Sequence, residues 1–267
     1  MINQCYIRCK DYYLFSCVYV PDKYDNVILL LQGYSHSMTD IDYFMSNLKN
    51  ELVNNNCAVI QFDPLGHGDS DGQFENFDYC TLKENILTVI EWINNNWKKR
   101  PILVTRGLYT ILAEDVEISV YLKKSILLNP VVPNNNEMVE INKYLSGTPS
   151  IIDFSKWFSK IPDNRKEFFE GLFYTLGAKL KNLQGQYFNQ SIFSKFIEGL
   201  VISNGGKNNI YLIANNVNKI MIYRNKDSIP NCSFEYYFLE GALPRDPTWH
   251  YRILETIVGL CIEKDEE

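Results

Sequence analysis

Four short apolar runs separated by stretches of helical spacing constrain this chain more than any other feature. Val27–Leu31 is apolar throughout, and Ala58–Phe62, Ile102–Val104 and Ser125–Leu128 repeat the pattern with little interruption. A strand that is apolar on both faces has to be covered on both faces. Between the runs, Tyr43, Phe44, Leu48, Leu52 and Val53 fall on one helical face, as do Leu82, Ile86, Val89, Ile90 and Ile93. Ile111, Leu112 and Ala113 begin a third helix. This alternation specifies an α/β fold with a mostly parallel central sheet covered by helices. The amino-terminal stretch reads differently. Tyr6–Arg8 and Tyr13–Val20 are aromatic, β-branched and alternating, as in an antiparallel hairpin at a sheet edge.

After Asn129-Pro130-Val131-Val132-Pro133 the rhythm changes. Residues 134–205 are helical in pattern and aromatic, with Trp157, Phe158, Phe168, Phe169, Phe173 and Tyr174, and no buried-strand run. They are expected to form a helical cap inserted into a core made of residues 1–133 and 206–267. Sheet patterning resumes at Ile210–Ile213 and Ser233–Leu239, and a closing helix carries Ile253, Ile257, Val258, Leu260 and Cys261. A net charge of −6 gives no basic footprint for nucleic acid. No apolar run approaches the roughly 20 residues that span a bilayer, and Met1-Ile2-Asn3-Gln4 does not open a secretion signal. The seven cysteines are scattered without a CxxC, which fits neither a disulfide framework nor a metal site. A reducing cytoplasm is the expected location, with no cofactor.

Ligands of open α/β sheets bind beyond the carboxyl ends of the strands. The first such end is Gln32-Gly33-Tyr34-Ser35-His36-Ser37, where Gly33 and Tyr34 either turn backbone N–H groups toward a ligand or form a simple tight turn. The second is Asp63-Pro64-Leu65-Gly66-His67-Gly68-Asp69-Ser70-Asp71-Gly72. It resembles the D-x-x-G-x-G-x-S loop of α/β-hydrolases, a structural loop, so Asp63, His67 and Ser70 are not read as a triad. In that superfamily the nucleophile sits in G-x-S-x-G, on a sharp strand-to-helix turn. The corresponding stretch here is Val104-Thr105-Arg106-Gly107-Leu108-Tyr109-Thr110. Alignment through Ile111-Leu112-Ala113 puts Gly107 at the nucleophile position and Tyr109 where a glycine belongs. Glycine can hold a strained turn but cannot attack a carbonyl. The resemblance places the triad acid near Asn218, an uncharged residue, and the base at His250, just before the last helix.

A subgroup similarity lies in Phe62–Phe74, Leu128–Val132, Gly185–Ile192 and Pro247-Thr248-Trp249. These segments resemble the hydrolase-like proteins associated with exosortase and exopolysaccharide loci, in which an Arg often stands in for the serine; Arg106 lies beside that position here, or occupies it with a one-residue shift. The resemblance implies an α/β-hydrolase fold with a degenerate triad. Three functions are consistent with it. The first is a non-catalytic scaffold that binds a small acyl, peptide or saccharide-related ligand, or a protein partner, through Gly33, Tyr34, Arg106, Gly107, Leu108 and Tyr109. The second is an active ester, thioester or amide hydrolase or acyl transferase with relocated machinery, using His250, or His36 with Ser35 or Ser37. The third is a purely structural protein whose cleft is filled by side chains, Tyr109 foremost.

Overall fold

The computed structural model describes residues 2–38, 43–130, 143–175, 183–193, 209–214, 220–224 and 247–263. An eight-stranded sheet runs through it. Its strands are β1 (Ile2–Cys9), β2 (Tyr12–Tyr19), β3 (Asn26–Leu31), β4 (Cys57–Phe62), β5 (Ile102–Arg106), β6 (Lys124–Leu128), β9 (Asn209–Ala214) and β10 (Ile220–Arg224). Their spatial order is β1-β2-β4-β3-β5-β6-β9-β10. From β4 to β9 neighbours are parallel: Ile28 lies between Val59 of β4 and Ile102 of β5, and Ile126 of β6 faces Val104 and Ile210. The hairpin β1–β2 and the pair β9–β10 add antiparallel edges. Sequence patterning expected the mostly parallel sheet and the hairpin.

Two apolar layers cover the sheet because its central strands alternate. Val27, Leu29 and Leu31 point into one core together with Leu103, and Ile28 and Leu30 into the other together with Val104. All are essentially inaccessible to solvent, and each such burial contributes about 1.5–3 kcal/mol. The first layer is closed by α2 (Tyr79–Trp97), the second by α1 (Phe44–Asn54) and α6 (Pro247–Ile262). Helix α2 starts where Asp78 accepts from the Thr81 N–H while the Thr81 hydroxyl meets the Asp78 N–H, a reciprocal cap. It presents Leu82, Ile86, Val89 and Ile93 to the sheet.

Between β6 and β9 the chain leaves the sheet. It forms a short antiparallel pair, β7 (Ile151–Asp153) with β8 (Tyr187–Asn189), and the helices α4 (Phe154–Ser159) and α5 (Asp163–Thr175). Phe154, Trp157, Phe169, Phe173 and Phe188 pack ring against ring there, and β8 lies against a 3-10 turn at Phe74–Asn76. The patterning expected helices in this segment; the two short strands are additional. The expected strand at Ser233–Leu239 lies outside the described residues, as do residues 134–142, 176–182 and 194–205 of the expected cap. The third expected helix is realised differently. Gly107–Glu114 winds as a 3-10 helix, followed by the four-residue α3 (Val116–Ser119). The Thr110 hydroxyl donates to the Gly107 carbonyl three residues earlier, which suits the tighter i to i+3 winding.

The loop after β4 clamps this frame. The Asp63 carboxylate is buried and accepts from the N–H groups of Met38 (2.9 Å) and Asp69 (3.3 Å). The Ser70 hydroxyl donates to the Asp63 carbonyl and accepts from the Phe15 N–H, and the Asp71 carboxylate accepts from the Tyr13 N–H. One loop therefore joins the β3 end, the β4 end and the edge hairpin. Gly68, at φ 49°, leaves room for it: a Cβ there would lie 1.9 Å from Asp63 Oδ2. Gly68→Ala should lower the unfolding free energy by about 3 kcal/mol or more in urea titrations. Gly147→Ala, at φ 76° with nothing within 4 Å, carries conformational strain alone and should cost about 1 kcal/mol.

Candidate active site

At the carboxyl end of β5 the backbone reverses at Gly107. Arg106 is extended (φ −139°, ψ 160°), Gly107 turns to φ 60°, and the 3-10 helix begins. The left-handed region is the one where a side chain costs most and glycine least. A left-handed turn is therefore present at the end of β5, and its residue carries no side chain. The hydroxyls on either side point elsewhere. Thr105 Oγ1 is buried and has no hydrogen-bond partner among the described residues. Thr110 Oγ1 is committed to the Gly107 carbonyl at 2.7 Å.

Leu108 and Tyr109 are fully buried, and Tyr34 is nearly so. The Tyr109 ring stands edge-on to Tyr34 with centroids 6.3 Å apart, and 5.9 Å from Phe77. The His67 ring completes this knot, 4.6 Å from Phe77 and 5.0 Å from Phe74. His67 Nδ1 lies 3.0 Å from the Leu65 carbonyl, which can only accept, so Nδ1 carries the hydrogen. Nε2 then accepts from the Tyr109 hydroxyl at 3.2 Å. Burial holds His67 neutral, with its pKa lowered to about 4, and pushes the Tyr109 phenol well above its ordinary range. Neither is poised to move a proton near neutral pH. Asp63 goes the other way: burial raises it to about 6, against the opposing pull of the Asp69 and Met38 N–H groups.

Facing the turn, Gly33, Tyr34 and His36 are buried at the end of β3. Ser35 sits at φ 63°, a left-handed conformation that a non-glycine residue adopts at some cost. Both amide atoms of the buried Gln32 side chain, and Ser35 Oγ, lack partners among the described residues. Unpaired polar atoms in a core each cost about 1–3 kcal/mol. Of the sequence-expected site residues, the structure brings Gly33, Tyr34, Arg106, Gly107, Leu108 and Tyr109 to adjoining strand ends. It puts Tyr34, Leu108 and Tyr109 in the core rather than on an open surface, where the two tyrosine rings pack against each other and Tyr109 against Phe77. Asn218 lies outside the described residues, and His250 is in the first turn of α6. The His67–Tyr109 hydrogen bond was not foreseen; forty-two residues separate the partners, and no local pattern links them.

Comparison with known proteins follows the same outline. A family model described as acyl transferase matches residues 18–148. An acyl transferase of Photobacterium leiognathi is 30% identical over 139 residues, which cover 49% of this chain and 44% of that protein. One from Photobacterium phosphoreum is 30% identical over 125 residues, 46% of this chain and 40% of that protein. The match thus spans less than half the length of these relatives. Among solved structures, Est1E from Butyrivibrio proteoclasticus, determined with ferulic acid bound, superposes with a TM-score of 0.52 at 15% identity, covering 79% of this chain and 88% of that one. The α/β hydrolase GrgF from Penicillium gives 0.51 at 14% identity, covering 77% and 78%. An esterase of Pyrococcus furiosus gives 0.50 at 14%, covering 80% and 81%. The fold is that of the α/β-hydrolases.

Two consequences can be measured. Tyr109→Phe leaves His67 Nε2 buried without a donor and should cost about 1–3 kcal/mol in unfolding free energy. The pH dependence separates two opposed titrations. His67 titrates near 6.5 when unfolded and near 4 when folded, so its contribution is complete above pH 6.5 and declines as pH falls toward 4. Asp63 takes up its proton near 6 when folded and 3.8 when unfolded, so acidification through that window favours the folded state. In the double variant His67→Phe, Tyr109→Phe only the Asp63 effect remains. Relative to wild type, its unfolding free energy from urea titration should rise between pH 6.5 and 4.5, by an amount on the order of 2 kcal/mol. Parallel profiles for the two proteins would refute the neutral, buried His67.

Proposed function

We propose that this chain engages an activated acyl group, an ester or a thioester, at the carboxyl ends of β3 and β5, and does so without forming an acyl-enzyme. The observation that carries this reading is the tip residue: Gly107 keeps the left-handed turn and offers no attacking atom. The similarity to acyl transferases over residues 18–148 supports the acyl class of ligand. The backbone N–H groups that open the 3-10 helix at Gly107 suit a polarised carbonyl oxygen. Gln32 and Ser35 hold buried donors and acceptors that a bound polar group could satisfy. In this reading the chain is a degenerate hydrolase that holds an acyl ligand, or presents it to a protein partner, with Asn218 in place of a charged acid. The scattered free cysteines suit a reducing compartment.

A second reading is favoured by the acyl-transferase similarity itself. Here acyl transfer or hydrolysis proceeds from a different group, with His250 or His36 activating water or another nucleophile.

Intact-mass measurement after incubation with short acyl thioesters and with a fluorophosphonate separates the two. Non-covalent stabilisation by the thioester, with no added mass and no turnover, is the expected result. A covalent adduct, or turnover lost in His250→Ala or His36→Ala, would establish the second reading; no effect of any acyl ligand on thermal stability would remove both. Gly107→Ser should leave ester hydrolysis at the uncatalysed background, because Tyr109 crowds the turn. Gln32→Leu should raise the melting temperature of the free protein, since it removes two unpaired buried atoms, while weakening the thioester's stabilising effect.

A further inference from the structure

We propose that the opposite end of the sheet carries a docking surface for an acidic protein segment with an apolar anchor. Helix α2 ends at Trp97, and Lys98 caps it in the left-handed conformation (φ 53°). The chain then crosses the amino ends of the strands as Lys98-Lys99-Arg100-Pro101 before entering β5. Beside it run α3 and the residues that lead into β6. Between the two lies a pocket of about 180 Å³, with Ile90, Pro101, Val120 and Tyr121 as apolar walls and Lys99 and Arg100 among its lining. Val116, Val120 and Tyr121 are 56%, 55% and 55% exposed. An apolar group of this kind, adjoining a concavity, is what a partner's side chain fills.

The charges specify which partner. Arg100 donates to the Val120 carbonyl at 2.6 Å, and Lys99 Nζ to the Asp25 carbonyl at 2.6 Å while standing 5.3 Å from the Tyr24 ring. These bonds satisfy donors and fix the side chains, but cancel no charge. Among the described residues no carboxylate lies within ion-pair distance of Lys98, Lys99 or Arg100; Asp25 meets Lys99 through its backbone carbonyl, and Asp115 and Glu117 pair with Lys83. Three consecutive uncancelled cations on a chain of net charge −6 form a local inversion of sign. A ligand for this surface therefore brings carboxylates around an apolar residue that enters the pocket. The pinned Arg100 lowers the ordering cost of binding. β5 separates this surface from Gly107 by ~17 Å of strand, so it does not depend on the acyl reading.

The test uses the full chain and a short fluorescein-labelled helical peptide with glutamates flanking a central Leu-Phe pair, alongside a matched peptide with glutamine for every glutamate. Anisotropy should show saturable binding of the acidic peptide, at least about tenfold weaker for the glutamine peptide and in high salt. Lys98→Glu with Lys99→Gln should weaken it comparably, as should Val120→Ser, with melting temperatures and the acyl-ligand response unchanged. Equal binding of the two peptides, no binding of the acidic one, or indifference to Val120→Ser would each overturn the proposal. So would sedimentation showing self-association abolished by Val120→Ser, which makes a second copy the occupant, or duplex DNA binding abolished by the lysine changes.

Discussion

A backbone reversal in the left-handed region at the end of the central strand is the constraint on which the rest of the site depends. β5 arrives extended and buried, and the following helix must pack back onto the same sheet. The chain can do this in so few residues only by passing through a conformation that penalises a side chain. In α/β-hydrolases the penalty is tolerated because it exposes a nucleophile. Here a glycine occupies the turn, so the strain is relieved.

The neighbourhood of the turn is aromatic. Tyr109 places a large, fully buried ring directly after it. The ring is accommodated in an aromatic knot with Tyr34, Phe77 and His67, and its hydroxyl is satisfied by a neutral imidazole. The cost of burying two polar groups is thereby offset by pairing them. The adjoining segment winds as a 3-10 helix rather than an α-helix. Beneath it, the Asp63 carboxylate holds the β3 and β4 loops together through backbone N–H groups. His67 and Asp63 thus have separate partners, the one Tyr109 and the Leu65 carbonyl, the other backbone N–H groups.

The two ends of the sheet differ in character. At the carboxyl ends, polar groups are buried and, among the described residues, in part unpaired. At the amino ends, positive charge and apolar side chains are exposed together, as suits a macromolecular surface. Similarity to acyl transferases and an overall negative charge are properties of the whole chain or of its amino-terminal half; neither distinguishes the ends.

The parallel sheet, the edge hairpin and the helices α1, α2 and α6 were legible in the sequence, because burial on both faces of a strand or one face of a helix leaves a periodic trace over adjacent residues. The turn was legible to within one residue, since Arg106 fitted the same place after a one-residue shift; the backbone reverses at Gly107. What the sequence could not supply are contacts between residues far apart in the chain. Tyr109 with His67, Asp63 with Met38, and Arg100 with the Val120 carbonyl all arise from loops brought together only when the strands take their spatial order. Sequence therefore determined which backbone shapes are allowed and which atoms are absent from the turn. Tertiary structure alone decided which buried polar atoms are paired and which cations stay uncancelled, because pairing depends on distance in space, and periodicity carries no record of it.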